Sequence, residues 1–187
     1  MTKKLTTSAM LVALSVVLSM VTVFRAPYGG TVTAASMVPV VITGLVYRSK
    51  WGLLTALVYA ILQMIIGGIV PPPVPSFWMY LLVILLDYVL SYTCLGLSGY
   101  FFELFKKRDF AISISGAIVM MIRFVCHFLS GILIWGVYAP EGTSVWAYSL
   151  LYNGGYMLPE IIISTIVLWL LTKPILSMYK KSLYLSK

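Results

Sequence analysis

Residues 110–137 read FAISISGAIVMMIRFVCHFLSGILIWGV, and in this run only Arg123 carries a formal charge. A helix rises about 1.5 Å per residue, so the run is long enough to cross about 30 Å of hydrocarbon. The surrounding runs repeat the pattern. Working outward, apolar helices are expected over 77–104 and 146–178, then over 51–70, 31–47 and 5–24. The breaks fall at Pro27-Tyr28-Gly29-Gly30, Arg48-Ser49-Lys50, the Pro-rich stretch 71–75, Lys106-Lys107-Arg108-Asp109 and Ala139-Pro140-Glu141-Gly142. Pro, Gly and charge clusters are the usual punctuation between spans. The second span is the shortest and most polar, with Thr31, Thr33, Ser36 and Pro39. The sequence therefore predicts an all-α membrane protein, a six-transmembrane-helix bundle forming a single domain over 1–187.

Composition agrees. The chain is 61% apolar and 10% charged, against about a quarter charged in soluble domains. Mean hydropathy is +1.01. The net charge of +8 does not indicate nucleic acid, because the basic residues sit in short clusters between apolar runs. Lys3, Lys4, Arg48, Lys50, Lys106, Lys107, Arg108, Lys173, Lys180, Lys181 and Lys187 all fall on one side of a six-span topology. The positive-inside rule then places the N and C termini in the cytoplasm. Lys3-Lys4 followed by an apolar run is read as a retained first span and not a cleaved signal, since no convincing cleavage site closes it. Cys94 and Cys126 lie within apolar runs, with no CxxC or Cys/His spacing, so neither a disulfide framework nor a metal site is expected. No nucleotide-binding or hydrolase motif occurs, and neither catalysis nor a cofactor is expected.

The polar residues inside the spans carry the functional information. A charge near the bilayer centre costs about 2.5–3.5 kcal/mol on insertion scales, so such residues face the protein interior. They are Asp87, Arg123, His127 and Glu160; Glu103 lies near a span end, within reach of the interface. By depth, Asp87 and His127 belong to the outer half of the bundle. Arg123 and Glu160 lie deeper at matched heights, where a buried ion pair is expected. Arg123, His127, Gly131 and Trp135 recur every four residues and share one helix face. Tyr80 and Asp87, seven apart, share a face of the preceding span. Trp146, Tyr148, Tyr152, Asn153 and Tyr156 add aromatic planes and an amide. Together these suit a pocket for a flat, partly cationic ligand, since aromatic faces attract cations. The same residues also fit a bland reading: Trp and Tyr gather at membrane interfaces, and buried polar groups pair helices. On the first span Ala9 and Ala13 form an A-x-x-x-A pair, which permits close helix approach within the bundle or with a partner.

The stretch HFLSGILIWGVYAPEGTSVWAYSLLYNGGYMLPE, His127 to Glu160, closely resembles the thiamine-specific substrate-binding (S) components of energy-coupling factor (ECF) vitamin transporters. GGTVTAASMVPVVITGLVYRSKWGLLTALVYAILQ, residues 29–63, and the A-x-x-x-A pair resemble the same family. The resemblance implies a bacterial multi-pass cell-membrane protein that captures thiamine from outside with high affinity. It further implies docking, through Ala9 and Ala13, onto a transmembrane coupling subunit driven by two cytoplasmic ATPase subunits. Positions matching the family's binding residues are Asp87, Tyr88, His127, Gly131, Trp135, Tyr148 and Asn153. Two departures stand out: relatives can carry Glu in place of Asp87, and a Trp near the first outer loop where this chain offers Tyr28. They keep open a thiamine precursor or another vitamin as ligand. A different class, a small intramembrane enzyme using His127 with Asp87 or Glu160 as acid and base, lacks a nucleophile–base pair. A structural or assembly subunit, whose polar residues merely pair helices, is the remaining alternative.

Overall fold

A computed structural model describes residues 1–26, 30–105 and 108–184. Tyr28, Lys106, Lys107 and Lys187, which entered the reading above, lie outside the described residues. The first helix, α1 (Thr2–Met20), ends earlier than the sequence suggests. Thr22–Arg25 leaves it as strand β1 and pairs antiparallel with β2 (Thr31–Thr33), in the register Thr22↔Thr33, Phe24↔Val32 and Arg25↔Thr31. The expectation of helix from 5 to 24 and again from 31 is therefore corrected. β-Branched Thr22, Val23, Thr31, Val32 and Thr33 favour extended backbone, and the sequence between the two groups contains Pro and Gly.

What remains of the second span is α2 (Val38–Tyr47), ten residues long and with Val38 through Val46 all buried. At about 1.5 Å per residue it is too short to cross the hydrocarbon by itself. Its sequence, VPVVITGLVY, is apolar on almost every side, the mark of a helix enclosed by neighbours. α1, α3 (Ser49–Gly67), α4 (Phe77–Leu104) and the C-terminal α7 (Thr172–Tyr184) pack around it. Close approach at the centre depends on glycine. A Cβ on Gly52 would fall 2.6 Å from both Gly44 Cα and Gly96 O, so three backbones meet where no side chain fits.

α5 (Asp109–Leu133) packs along α6 (Val145–Leu170), and a 3₁₀ turn at Gly136–Tyr138 joins them. The sixth expected span, 146–178, is broken at Leu171, after which α7 turns beneath α2 and buries Ile175 and Tyr179. Among the described residues, five helices are long and apolar enough to cross a membrane: Thr2–Met20, Ser49–Gly67, Phe77–Leu104, Phe110–Leu133 and Val145–Leu170. Their outer faces expose large apolar side chains, among them Val17, Val58, Ile65, Val125 and Ile162. Such a belt matches a lipid solvent.

Both ends of the chain reach the α2–α3 junction. Lys4 Nζ lies 4.2 Å from the Trp51 ring centroid, Trp51 Nε1 donates to Ser8 Oγ at 2.8 Å, and Ser182 Oγ donates to Val46 O at 2.8 Å. The cavity described next lies at the opposite end of the bundle.

Candidate functional site

α4 is not uniformly α-helical. Ile84–Leu90 forms a π-helical stretch, and Cys94–Leu97 tightens to 3₁₀ geometry. π Segments in membrane and soluble helices alike are frequent at functional positions. Here the wider turn carries Asp87 and Tyr88, and it resets the face that seven-residue spacing would give. Tyr80, expected beside Asp87, is accordingly 39% exposed and outside the cavity lining.

The cavity measures about 510 Å³. It takes Asp87, Tyr88 and Tyr92 from α4, His127 and Gly131 from α5, and Trp135 and Tyr138 from the turn beyond. Tyr148, Ser149, Tyr152, Asn153 and Tyr156 come from α6, and Val70 from the segment after α3. All seven positions singled out as ligand-contacting in the sequence are on this one wall. The sequence reading did not include Val70, Tyr92, Tyr138 and Ser149. Tyr92 follows Tyr88 by four residues, a helical spacing that could have flagged it. Trp146 does not join them; it is 59% exposed at the start of α6.

Hydrogen bonds fix the wall. Trp135 Nε1 donates to Asp87 Oδ2 and to Ser130 Oγ, each at 3.1 Å. His127 Nδ1 stands 3.4 Å from Asp87 Oδ1. Asn153 Nδ2 donates to Ser149 O at 3.0 Å and to His127 O at 3.2 Å, while its Oδ1 accepts from Tyr156 Oη at 2.9 Å. Tyr88 Oη donates to Gly68 O at 2.9 Å, tying the start of the Pro-rich segment to the cavity rim. Gly131 allows α5 and α6 to touch, because a Cβ there would collide with Ser149 Oγ. The product is an aromatic box with one carboxylate, one imidazole and one amide on its walls.

A second cavity, of about 300 Å³, adjoins the first across Tyr92 and Tyr156. Arg123 and Glu160 both line it, yet they do not form the ion pair expected from their matched depth. Glu160 Oε2 accepts from the Thr33 backbone N–H and Oε1 from Thr33 Oγ1, each at 2.6 Å, so the carboxylate is spent on the β-hairpin. The Arg123 guanidinium instead stacks over Tyr92, 3.9 Å from the ring centroid. Two features explain the miss: the hairpin was read as helix, and an aromatic face can hold a cation as a carboxylate does. Glu103, expected near the interface, pairs with Arg48 at 2.8 Å.

A helical bundle with a lipid-facing apolar belt and a deep aromatic, singly acidic cavity defines a multi-pass membrane protein built around a small-molecule pocket. The family model described as Thiamine transporter protein matches residues 5–180, and the chain belongs to that family. The chain is 33% identical over 174 residues to the thiamine transporter ThiT of Bacillus subtilis (strain 168), covering 87% of this chain and 86% of that one. ThiT of Lacticaseibacillus paracasei is 31% identical over 137 residues, covering 68% and 64%. The fold resembles a solved structure of ThiT from Listeria monocytogenes with a TM-score of 0.71 at 19% identity, covering 94% of this chain and 96% of that one.

Proposed function

We propose that this protein is the thiamine-binding S component of an ECF-type transporter in the bacterial cell membrane. α2 counts as the sixth, enclosed span, and both termini face the cytoplasm. The cavity then opens on the outer side and receives thiamine through Asp87, Tyr88, His127, Gly131, Trp135, Tyr148 and Asn153. The observation that carries the reading is the convergence of these seven residues on one cavity where, among the described residues, Asp87 is the one formally charged member. Thiamine's thiazolium is a permanent cation that matches the carboxylate and the aromatic planes. Its aminopyrimidine edge offers partners to the Asn153 amide and the His127 imidazole.

The protein performs no chemistry on its ligand. Uptake is driven by a transmembrane coupling subunit and two cytoplasmic ATPases, docked against the Ala9–Ala13 face of α1. Both alanines are exposed, while Ser8, Val12 and Ser15 point into the bundle, so this face is open to a partner helix. Titration of detergent-purified protein with thiamine tests the assignment. Nanomolar affinity, worth about −12 kcal/mol, with quenching of Trp135 fluorescence is expected. Absence of both fluorescence change and heat at micromolar thiamine would falsify it.

A further inference from the structure

We infer that Arg123 is a positioning residue that sets where the His127 ring carries its proton and thereby keeps Asp87 the sole charge presented to a cationic ligand. Arg123 Nε donates to His127 Nε2 at 3.3 Å. A guanidinium has donors only, so Nε2 must offer its lone pair. The proton of the ring is then on Nδ1, the atom that faces Asp87 Oδ1 at 3.4 Å. Asp87 is met by an indole N–H on one oxygen and an imidazole N–H on the other, and neither brings a charge.

Arg123 is suited to this task because no carboxylate draws it away from the ring. Among the described residues no carboxylate lies within 4.0 Å of it, and its guanidinium lies over Tyr92, 3.9 Å from the ring centroid. A second proton on His127 would set two cations against each other at hydrogen-bond distance. The groups facing the ring are Asp87 and Tyr92 from α4, Arg123 from its own helix and Tyr156 from α6. Without Arg123 the ring is free to take the proton on Nε2, or to hold two and pair with Asp87 as an imidazolium. The first turns the Nδ1 lone pair toward the carboxylate, which favours its protonated form; the second cancels its charge as an ion pair. Selection of a cation thus depends on a second cation placed behind the imidazole.

The choice of thiamine as ligand rests on the function proposed above; the placement of the proton does not. His127 is the single histidine of the chain, so labelling histidine with ¹⁵N gives one imidazole in the intact protein. In the wild type at neutral pH, Nδ1 should carry the proton and Nε2 none. Arg123→Lys, which keeps a charged donor, should preserve this pattern and bind thiamine within about threefold of wild type. Arg123→Met should move the proton to Nε2 or load both nitrogens. Its preference for thiamine over the neutral aminopyrimidine alcohol that makes up half of it should shrink by about tenfold, the scale of one charge-assisted contact. A wild-type ring protonated at Nε2 or at both nitrogens overturns the inference, whatever the variants do. So does an Arg123→Met protein that keeps both the wild-type ring pattern and the wild-type ligand preference. Wild-type protein with the expected pattern but no thiamine binding would reject the ligand and leave the role of Arg123 standing.

Discussion

The indole nitrogen of Trp135 and Oδ2 of Asp87 are 3.1 Å apart, joining the turn after α5 to the π segment of α4 across the cavity. The bond holds the carboxylate at the wall and orients the Trp135 ring, which also stacks on Tyr138 at a centroid distance of 6.4 Å. Acid and aromatic plane are thus placed together by one contact.

Asp87→Asn keeps the shape and an acceptor for the Trp135 N–H but removes the charge. A hydrogen bond to a charged group contributes about 1.5–3 kcal/mol, so thiamine affinity should fall about tenfold or more. Melting temperature should change little. Calorimetric titration of the purified variant checks this, and unchanged affinity would make Asp87 a structural residue.

Gly131→Ala places a methyl group where Ser149 Oγ now sits, and Asn153 Nδ2 is 3.0 Å from the same point. Ser149 Oγ donates to Phe128 O at 2.7 Å, so it cannot swing away without losing that bond. Overpacking costs about 1–3 kcal/mol. The expected result is a lower melting temperature together with weaker thiamine binding, because α6 is pushed outward with Tyr148 and Asn153. A variant of wild-type stability and affinity would show that the helices have slack here.

Glu160→Ala leaves the part-buried Thr33 N–H without its acceptor, while the Thr33 hydroxyl keeps Ser36 Oγ at 2.8 Å. An orphaned buried donor costs about 1–3 kcal/mol, and a part-buried one sits toward the low end. Thermal unfolding in detergent should register that loss, and protease cleavage within the 22–33 hairpin should accelerate. Arg123→Ala should leave hairpin cleavage unchanged, since Arg123 holds His127 and Tyr92 and not the hairpin.

Ala9→Trp and Ala13→Trp place bulk on the exposed face of α1, far from the cavity. Thiamine affinity of the purified variants should stay within about threefold, roughly 0.7 kcal/mol. Uptake in cells that supply the coupling subunit and ATPases should collapse, because close helix approach is lost. Normal uptake by both variants would remove this face from docking.

Much of this was readable from residues 77 to 160, because lipid imposes simple rules there. Long apolar runs must be helices, and the few polar groups within them must face inward. Four-residue spacing groups Arg123, His127, Gly131 and Trp135; His127 and Gly131 line the main cavity from α5, Trp135 reaches it from the turn beyond, and Arg123 lines the adjoining cavity. The failures arise where local geometry departs from the uniform α-helix on which spacing arguments rest. Tyr80 was assigned to the wrong side because nothing in ILLDYVL announces a π turn. Thr31 and Thr33 read as a polar helix start, although β-branched residues on both sides of a Pro- and Gly-containing stretch suit a hairpin equally well. That error hid the partner of Glu160 and made an Arg123–Glu160 pair look necessary.

The π stretch also gives α4 two phases along one chain. A π turn accommodates one residue more than the α turn it replaces, and each residue of an α-helix advances the face by about 100°. Deleting a single residue within Ile84–Leu90 would let the helix close into ordinary α geometry throughout. Because the π turn absorbs that residue, the half that begins at Phe77 and the half that ends at Leu104 would keep nearly the same phase, and the shift would fall on the residues of the turn itself. Gly96 would keep its contact with Gly52, while Asp87 and Tyr88, inside the turn, would be re-aimed and the bond from Trp135 to Asp87 lost. In this helix, length is as much a determinant of the pocket as side-chain identity.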